Sequence, residues 1–178
     1  MFLDKQTFTT VIACTPLVSI DLVVINHLGQ ALLGKRLNKP AKDFWFVPGG
    51  RIVKNESLAD SFKRLTRDEL GTEFNISQAS LLGPYDHFYD DCVFSADAFS
   101  ADVVSADVVI DSVGDDVSTH YVAIAYVLTL THELTDLPLN IQHAQYQWFD
   151  IDTLLAAEHV HVNSKNYFTA INNLAQID

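Results

Sequence analysis

The sequence predicts a mixed α/β fold, in which helices pack against a mixed β-sheet. Three observations predict it. β-branched, apolar runs of strand length outnumber helical patterns over the 178 residues. The helical patterns lie mid-chain and near the end, so a sheet must supply the surface they cover. With 48% hydrophobic residues, the chain can also bury a core of its own, and its length suits one domain covering residues 1–178.

The first strand is the run Pro16 to Ile25, PLVSIDLVVI, closed by the turn-like Asn26-His27-Leu28-Gly29. The run Gln30 to Arg36 follows as a second strand, and the two together read as a hairpin-like pair. Leu37 to Asp43 is a loop, Phe44 to Val47 is short and extended, and Pro48-Gly49-Gly50 turns the chain sharply. From Glu56 to Gly71 the residues Leu58, Phe62, Leu65 and Leu70 recur at helical spacing, with Gly71 as the stop. Further strands are predicted at Leu81 to Phe88, Tyr121 to Leu130 and Tyr146 to Phe149, and helices at Ile151 to Ala157 and Tyr167 to Leu174. Phe44, Trp45 and Trp148 are expected to fill the core in preference to stacking on a ligand.

Charge is distributed unevenly. The net charge is −12, yet ten of the eleven basic residues lie between Lys5 and Arg67, and Asp90 to Asp116 holds eight aspartates with no Lys or Arg. That acidic stretch repeats Ser-Ala-Asp at Ser95, Ser100 and Ser105 and reads as a long solvated loop, an insertion at about residues 96–117. Such a chain offers no cationic face for nucleic acid or an anionic membrane. A small polyanion needs only a few local donors, and these must come from the first third of the chain. The four arginines, Arg36, Arg51, Arg64 and Arg67, all lie in the Lys5 to Arg67 stretch. No apolar run approaches the roughly 20 residues of a membrane span. Cys14 and Cys92 make neither a disulfide scaffold nor a zinc spacing, and the expected location is cytoplasmic.

On the central helix, Glu69 stands beside the Gly49-Gly50 turn only if packing brings the turn over that helix face. A carboxylate and a backbone carbonyl are the hard oxygen ligands that Mg²⁺ takes. Asp21 interrupts an apolar strand with a charge, which is costly to bury unless it is paired or faces a ligand.

The stretch Gly50 to Thr72, GRIVKNESLADSFKRLTRDELGT, resembles the signature of the Nudix hydrolases, with Gly50, Glu56, Arg64, Glu69 and Gly71 matching. Leu65 stands where the first metal-binding glutamate is usual, and Asp68 replaces the next. The longer segments FWFVPGGRIVKNESL, DHFYDD, STHYV, QHAQYQW and VHVNSKNYF are similar to the GDP-mannose mannosyl hydrolase branch of that family. The resemblance implies an α/β/α sandwich and hydrolysis of GDP-mannose or a related GDP-hexose at the anomeric carbon with inversion. It implies Mg²⁺, with Mn²⁺ as a substitute, on Gly49, Glu69 and Gln142, and His143, in a loop, as general base. An imidazole suits that role because its unperturbed pKa is about 6.5. Arg36, Asp21 and Arg64 complete the implied catalytic set, and Arg36, Arg51, His87 and Tyr121 the substrate-binding set, with Arg64 in part positioning its helix. His120, next to Tyr121, is expected on the opposite strand face. A homodimer is implied too. Two readings stay open beside this one: pyrophosphohydrolysis to GMP and a sugar phosphate, with Asp68 as a metal ligand, and a nucleotide-sugar sensor without turnover.

Overall fold

The computed structural model describes residues 4–90, 117–131, 134, 136–139 and 142–174, so the acidic insertion lies outside the described residues except for Val117. The elements run α1 (Lys5–Cys14), β1 (Leu17–Ile25), β2 (Ala31–Arg36), β3 (Trp45–Phe46), β4 (Gly49–Arg51), α2 (Leu58–Leu70), a 3₁₀ turn (Ile76–Gln78), β5 (Ser80–Tyr89), β6 (Thr119–Thr129), β7 (His143–Phe149), α3 (Ile151–Ala156) and α4 (Val162–Leu174). The fold is mixed α/β, a mixed sheet with flanking helices. No described helix is long and apolar enough to cross a membrane.

β1 lies at the centre of the sheet, whose main path is β3-β2-β1-β6-β5, with β4 paired to β1 and β7 to β2. β1 and β6 are parallel over their whole length, from Leu17 opposite Tyr121 to Ile25 opposite Thr129. The expected hairpin-like pair of the first two strands is present but short: they meet antiparallel at Ile25 and Ala31. β4 takes the start of β1, pairing Asp21 with Gly49, while β2 turns away to pair along its length with β7. A hairpin satisfies only one edge of each strand. Here the long-range partners satisfy more backbone groups than the local one.

Because β1 is covered on both faces, its side chains are buried almost continuously. Ile20, Leu22 and Val24 face α2 with Leu32, Phe62, Leu65 and Leu70. Val23 faces the other way with Leu33, Trp45, Phe149, Tyr167 and Phe168, on the α4 side. By the two-residue period of a strand, Ser19 and Asp21 share the face of Val23. Trp45 is thus a core residue, as expected, and Trp148 packs partly buried against the α2-side cluster, whereas Phe44, expected in the core as well, is exposed just before β3.

α2 forms where its pattern predicts. Ser57 caps it by accepting from the Asp60 N–H at 3.1 Å, and Gly71 ends it in the left-handed conformation at φ 72°. α1 is an element without a sequence signal. Its residues Thr7, Thr9, Thr10, Val11 and Ile12 are β-branched, which lowers intrinsic helicity. The helix is supported by the Asp4 cap, whose carboxylate accepts from the Thr7 N–H at 3.0 Å, and by burial of Ile12. α4 begins five residues before the predicted Tyr167. Its first turn contains Ser164, a fully buried side chain that accepts from the Val47 N–H at 3.0 Å, a contact that no periodicity can announce.

Candidate active site

A cavity of about 350 Å³ opens between β1, β4, the Arg36 to Pro40 loop and the α4 side of β5 and β6. Its walls include seven of the ten residues proposed from the sequence: Asp21, Arg36, Gly49, Arg51, His87, Tyr121 and Gln142. Arg64, Glu69 and His143 stand behind that wall. Asp21 is the carboxylate among the described lining residues, against three cations, Arg36, Lys39 and Arg51.

The cations are held by their surroundings. Arg36 ends β2, donates from Nε to the Pro40 carbonyl at 2.8 Å, and has its Cζ 5.7 Å from the Phe46 ring centre. The guanidinium carbon of Arg51 lies 4.3 Å from the ring centre of Phe8, so α1 reaches the cavity rim through a cation–π contact. Arg64 points away from the cavity. It grips Glu56 through Nε at 2.7 Å and Nη2 at 2.9 Å, and it donates to the Arg51 carbonyl at 2.9 Å. That fork ties α2 to the strand carrying Arg51, and hydrogen bonding by Arg64 holds the Glu56 carboxyl down at about 2.

Asp21 and His87 form a buried polar unit. The Tyr167 hydroxyl is 2.7 Å from Asp21 Oδ2 and 2.9 Å from His87 Nε2. Burial raises the Asp21 carboxyl to about 6, opposed by its Tyr167 bond and by the charge of Arg36. Burial also lowers the His87 imidazole to about 4, helped by His161 and opposed by Asp86, so the ring is neutral near pH 7. The 4.0 Å separation of His87 Nδ1 from Asp21 Oδ2 is therefore not an ion pair. Tyr121 lines the same cavity, and His120 turns to the other face, as expected, to stack on Phe88 with ring centres 4.4 Å apart.

Behind the wall, Leu65 and Glu69 are both buried on α2, and a side chain at Gly50 would meet Leu65, so packing does bring the glycine turn over that face. A side chain at Gly49 would meet the Ile20 carbonyl and the Asp21 carboxylate, which explains the glycine by close approach. Gln142 donates from Nε2 to the Gly49 carbonyl at 3.0 Å. His143 does not lie in a loop as expected. It is the first residue of β7, paired with Arg36, and wholly buried, and its ring takes the space that a side chain at Gly34 would need. Its Nε2 is 3.3 Å from Glu69 Oε2, without hydrogen-bond geometry.

Among the described residues no three His, Cys, Asp or Glu side chains converge as a metal group. The Gly49, Glu69 and Gln142 set nonetheless fits a hard cation. It offers three oxygen types, and Glu69 Oε2 is a buried acceptor without a hydrogen-bond partner. Asp68 does not belong to this set. It is turned outward, 3.1 Å from Arg67 and 3.7 Å from Arg64.

Lys39, Phe8, Tyr89 and Tyr167 are site residues that sequence reasoning missed. Tyr167 lies within the segment VHVNSKNYF, whose similarity to the family gives the tyrosine no role by itself. Phe8 had no signal, because the helix that carries it had none.

Comparison with known proteins fits this geometry. A family model described as "NUDIX domain" matches residues 15–170. The chain is 40% identical over 148 residues to the low-salt glycan biosynthesis protein Agl8 of Haloferax volcanii, covering 83% of this chain and 80% of that one. Its fold is similar to that of the MutT protein from Methanosarcina mazei Go1, with a TM-score of 0.63 at 17% identity over 92% of this chain and 98% of the other. It is likewise similar to the NUDIX domain of Shewanella oneidensis NrtR complexed with ADP ribose, with a TM-score of 0.62 at 15% identity over 97% and 94% of the two chains.

Proposed function

The chain belongs to the NUDIX family of hydrolases, and on that premise we propose that it hydrolyses a GDP-hexose such as GDP-mannose at the sugar's anomeric carbon. Water oxygen bonds to C1 as the C1–O bond to the diphosphate breaks, its electron pair leaving with GDP, and the free hexose forms with inversion. The observation that carries this reading is the depleted helix face behind a cationic cavity. α2 presents one buried carboxylate, Glu69, while Leu65 is packed in the core and Asp68 is paired outward with arginines. Water attack on phosphorus in this family relies on a cluster of such carboxylates. Attack on carbon needs less: a proton acceptor and stabilisation of the departing diphosphate.

Arg36, Arg51 and Lys39 on the cavity wall are the groups for the diphosphate, and an arginine fork suits its oxygens. Asp21 is the carboxylate on that wall, and we assign it the proton of the attacking water. His143, enclosed behind Glu69, takes the role of holding that carboxylate. Glu69, the Gly49 carbonyl and the Gln142 amide oxygen would hold Mg²⁺ or Mn²⁺, Gln142 after turning its amide. The ion's contribution there is to take up charge on the leaving diphosphate. The name of the Haloferax relative, a glycan biosynthesis protein, is in keeping with a nucleotide-sugar substrate. A homodimer belongs to the same proposal, checked by light scattering at twice the mass of one chain.

Hydrolysis in ¹⁸O-water tests the reading. Label in the free hexose and unlabelled GDP is the expected result. Label in GMP or in a sugar phosphate overturns it in favour of pyrophosphohydrolysis, and binding of GDP-sugars without turnover at saturating Mg²⁺ overturns it in favour of a sensor. A panel of GDP-hexoses assayed for released GDP then ranks the sugars.

A further inference from the structure

Tyr167 is the largest wholly buried side chain of the described protein, and its hydroxyl is not spent on backbone. It stands 2.7 Å from Asp21 Oδ2 and 2.9 Å from His87 Nε2, bridging residues that lie 146 and 80 positions away in the chain. The ring is held in place: it meets Tyr85 edge-on at 4.7 Å between ring centres and belongs to the α4-side core. A group this well packed cannot swing to find other partners.

One hydroxyl has one proton to give and lone pairs to receive. An ionised carboxylate only accepts, so the Tyr167 proton goes to Asp21. The hydroxyl oxygen must then accept from His87, which requires the proton of the neutral imidazole to sit on Nε2. We propose that Tyr167 is a positioning residue of this site, tying Asp21 to His87 and fixing His87 as the Nε2–H tautomer, so that Nδ1 is left as an acceptor for a substrate hydroxyl. The consequence is one of specificity. A neutral ring whose only N–H is committed to Tyr167 has no donor for a phosphate oxygen, and its free lone pair selects for the hydroxyl-bearing part of the substrate. Among the wall residues, the basic side chains and His87 thus divide the ligand between them, anion to the arginines and hydroxyl to the histidine. Burial of Tyr167 beside Asp21 raises the phenol well above its usual range, so the hydroxyl stays protonated and able to play this part.

The consequence for turnover rests on the proposed hydrolysis, but the tautomer does not, and the test separates them. ¹⁵N-histidine labelling with long-range ¹H–¹⁵N spectra reports the His87 tautomer directly, the signal being assigned by its loss in His87→Gln. Nε2–H at neutral pH is expected in the wild-type protein, and Nδ1–H or a doubly protonated ring overturns the proposal. In Tyr167→Phe, which keeps the packed ring, the expected result is a mixed tautomer. The same variant is expected to lose roughly 10- to 100-fold in kcat on a GDP-hexose, the scale on which removing an outer positioning partner acts, with KM for GDP-hexose changed less than kcat and thermal midpoint near wild type. Wild-type kcat in Tyr167→Phe overturns the positioning role. If Tyr167→Phe fails to fold, the wild-type spectrum alone still decides the tautomer. If the wild-type protein releases no GDP from any GDP-hexose, the proposed function fails while the spectrum still judges Tyr167.

Discussion

Arg36 and Arg64 come from the same basic third of the chain, and His87 and His143 from similar aromatic-rich segments, yet the structure uses the members of each pair in different layers. Arg36 and His87 stand on the cavity wall beside Asp21. Arg64 and His143 stand one layer back, the first gripping Glu56 and the Arg51 carbonyl, the second pressed against Glu69. The wall carries groups that can meet a ligand. The layer behind it carries groups whose partners are other residues of the wall or of α2. A signature match identifies both sets together and does not sort them, because layer is decided by which strand or helix face packs inward.

The comparison is open to attack at each layer. The largest expected effect is on the wall. Asp21→Asn keeps size and hydrogen-bonding shape but removes the proton acceptor, so kcat on GDP-mannose is expected to fall by about 10² to 10⁴, the usual scale of lost acid–base assistance, with circular dichroism unchanged. A rate near wild type would move the base role away from Asp21. The next effect belongs to the layer behind. His143→Ala is expected to weaken metal affinity by roughly 10- to 100-fold, with activity recovering as Mg²⁺ is raised in steady-state assays. A loss that persists at saturating Mg²⁺ would return His143 to the base role and erase the distinction between the two layers. The smallest effect is structural and pH-dependent. Glu56, held at about 2 by Arg64 against an ordinary 4.5, contributes stability that is complete above its unfolded value and is lost as pH falls toward its folded one. Glu56→Gln should therefore be less stable than wild type by about 1 kcal/mol near pH 7. Urea unfolding should show that gap closing as pH drops from about 4.5 toward about 2; a gap constant with pH would mean that the charged fork is not its source.

Much of the fold was legible in the sequence because local rules and tertiary context agree there. Ser57, the apolar spacing of Phe62 and Leu65, and Gly71 each point to α2, and the structure retains all of them. The strand runs were legible as strands, but not their partners. Nothing in Pro16 to Arg36 tells β1 to meet β2 only at Ile25 and to pair along its whole length with β6, more than 90 residues away. α1 shows the converse case, a weak local preference overridden by its Asp4 cap and the burial of Ile12.

By itself the sequence singled out the candidate residues: the basic stretch up to Arg67, the interrupted strand at Asp21, the glycine turn at Gly49 and the signature that runs through Glu69 to Gly71. Its residue types and short spacings also determined the chain's family, since those are properties of the linear order. Only the tertiary structure decided that Asp21 faces α4 and meets Tyr167, that His143 is sealed behind Glu69, and that Asp68 turns outward to arginines. Each of these is a choice between two sides of a strand or helix that differ by a single residue step or one turn. That choice is made by the competition of distant surfaces for burial and hydrogen bonds, which becomes defined when the layers close.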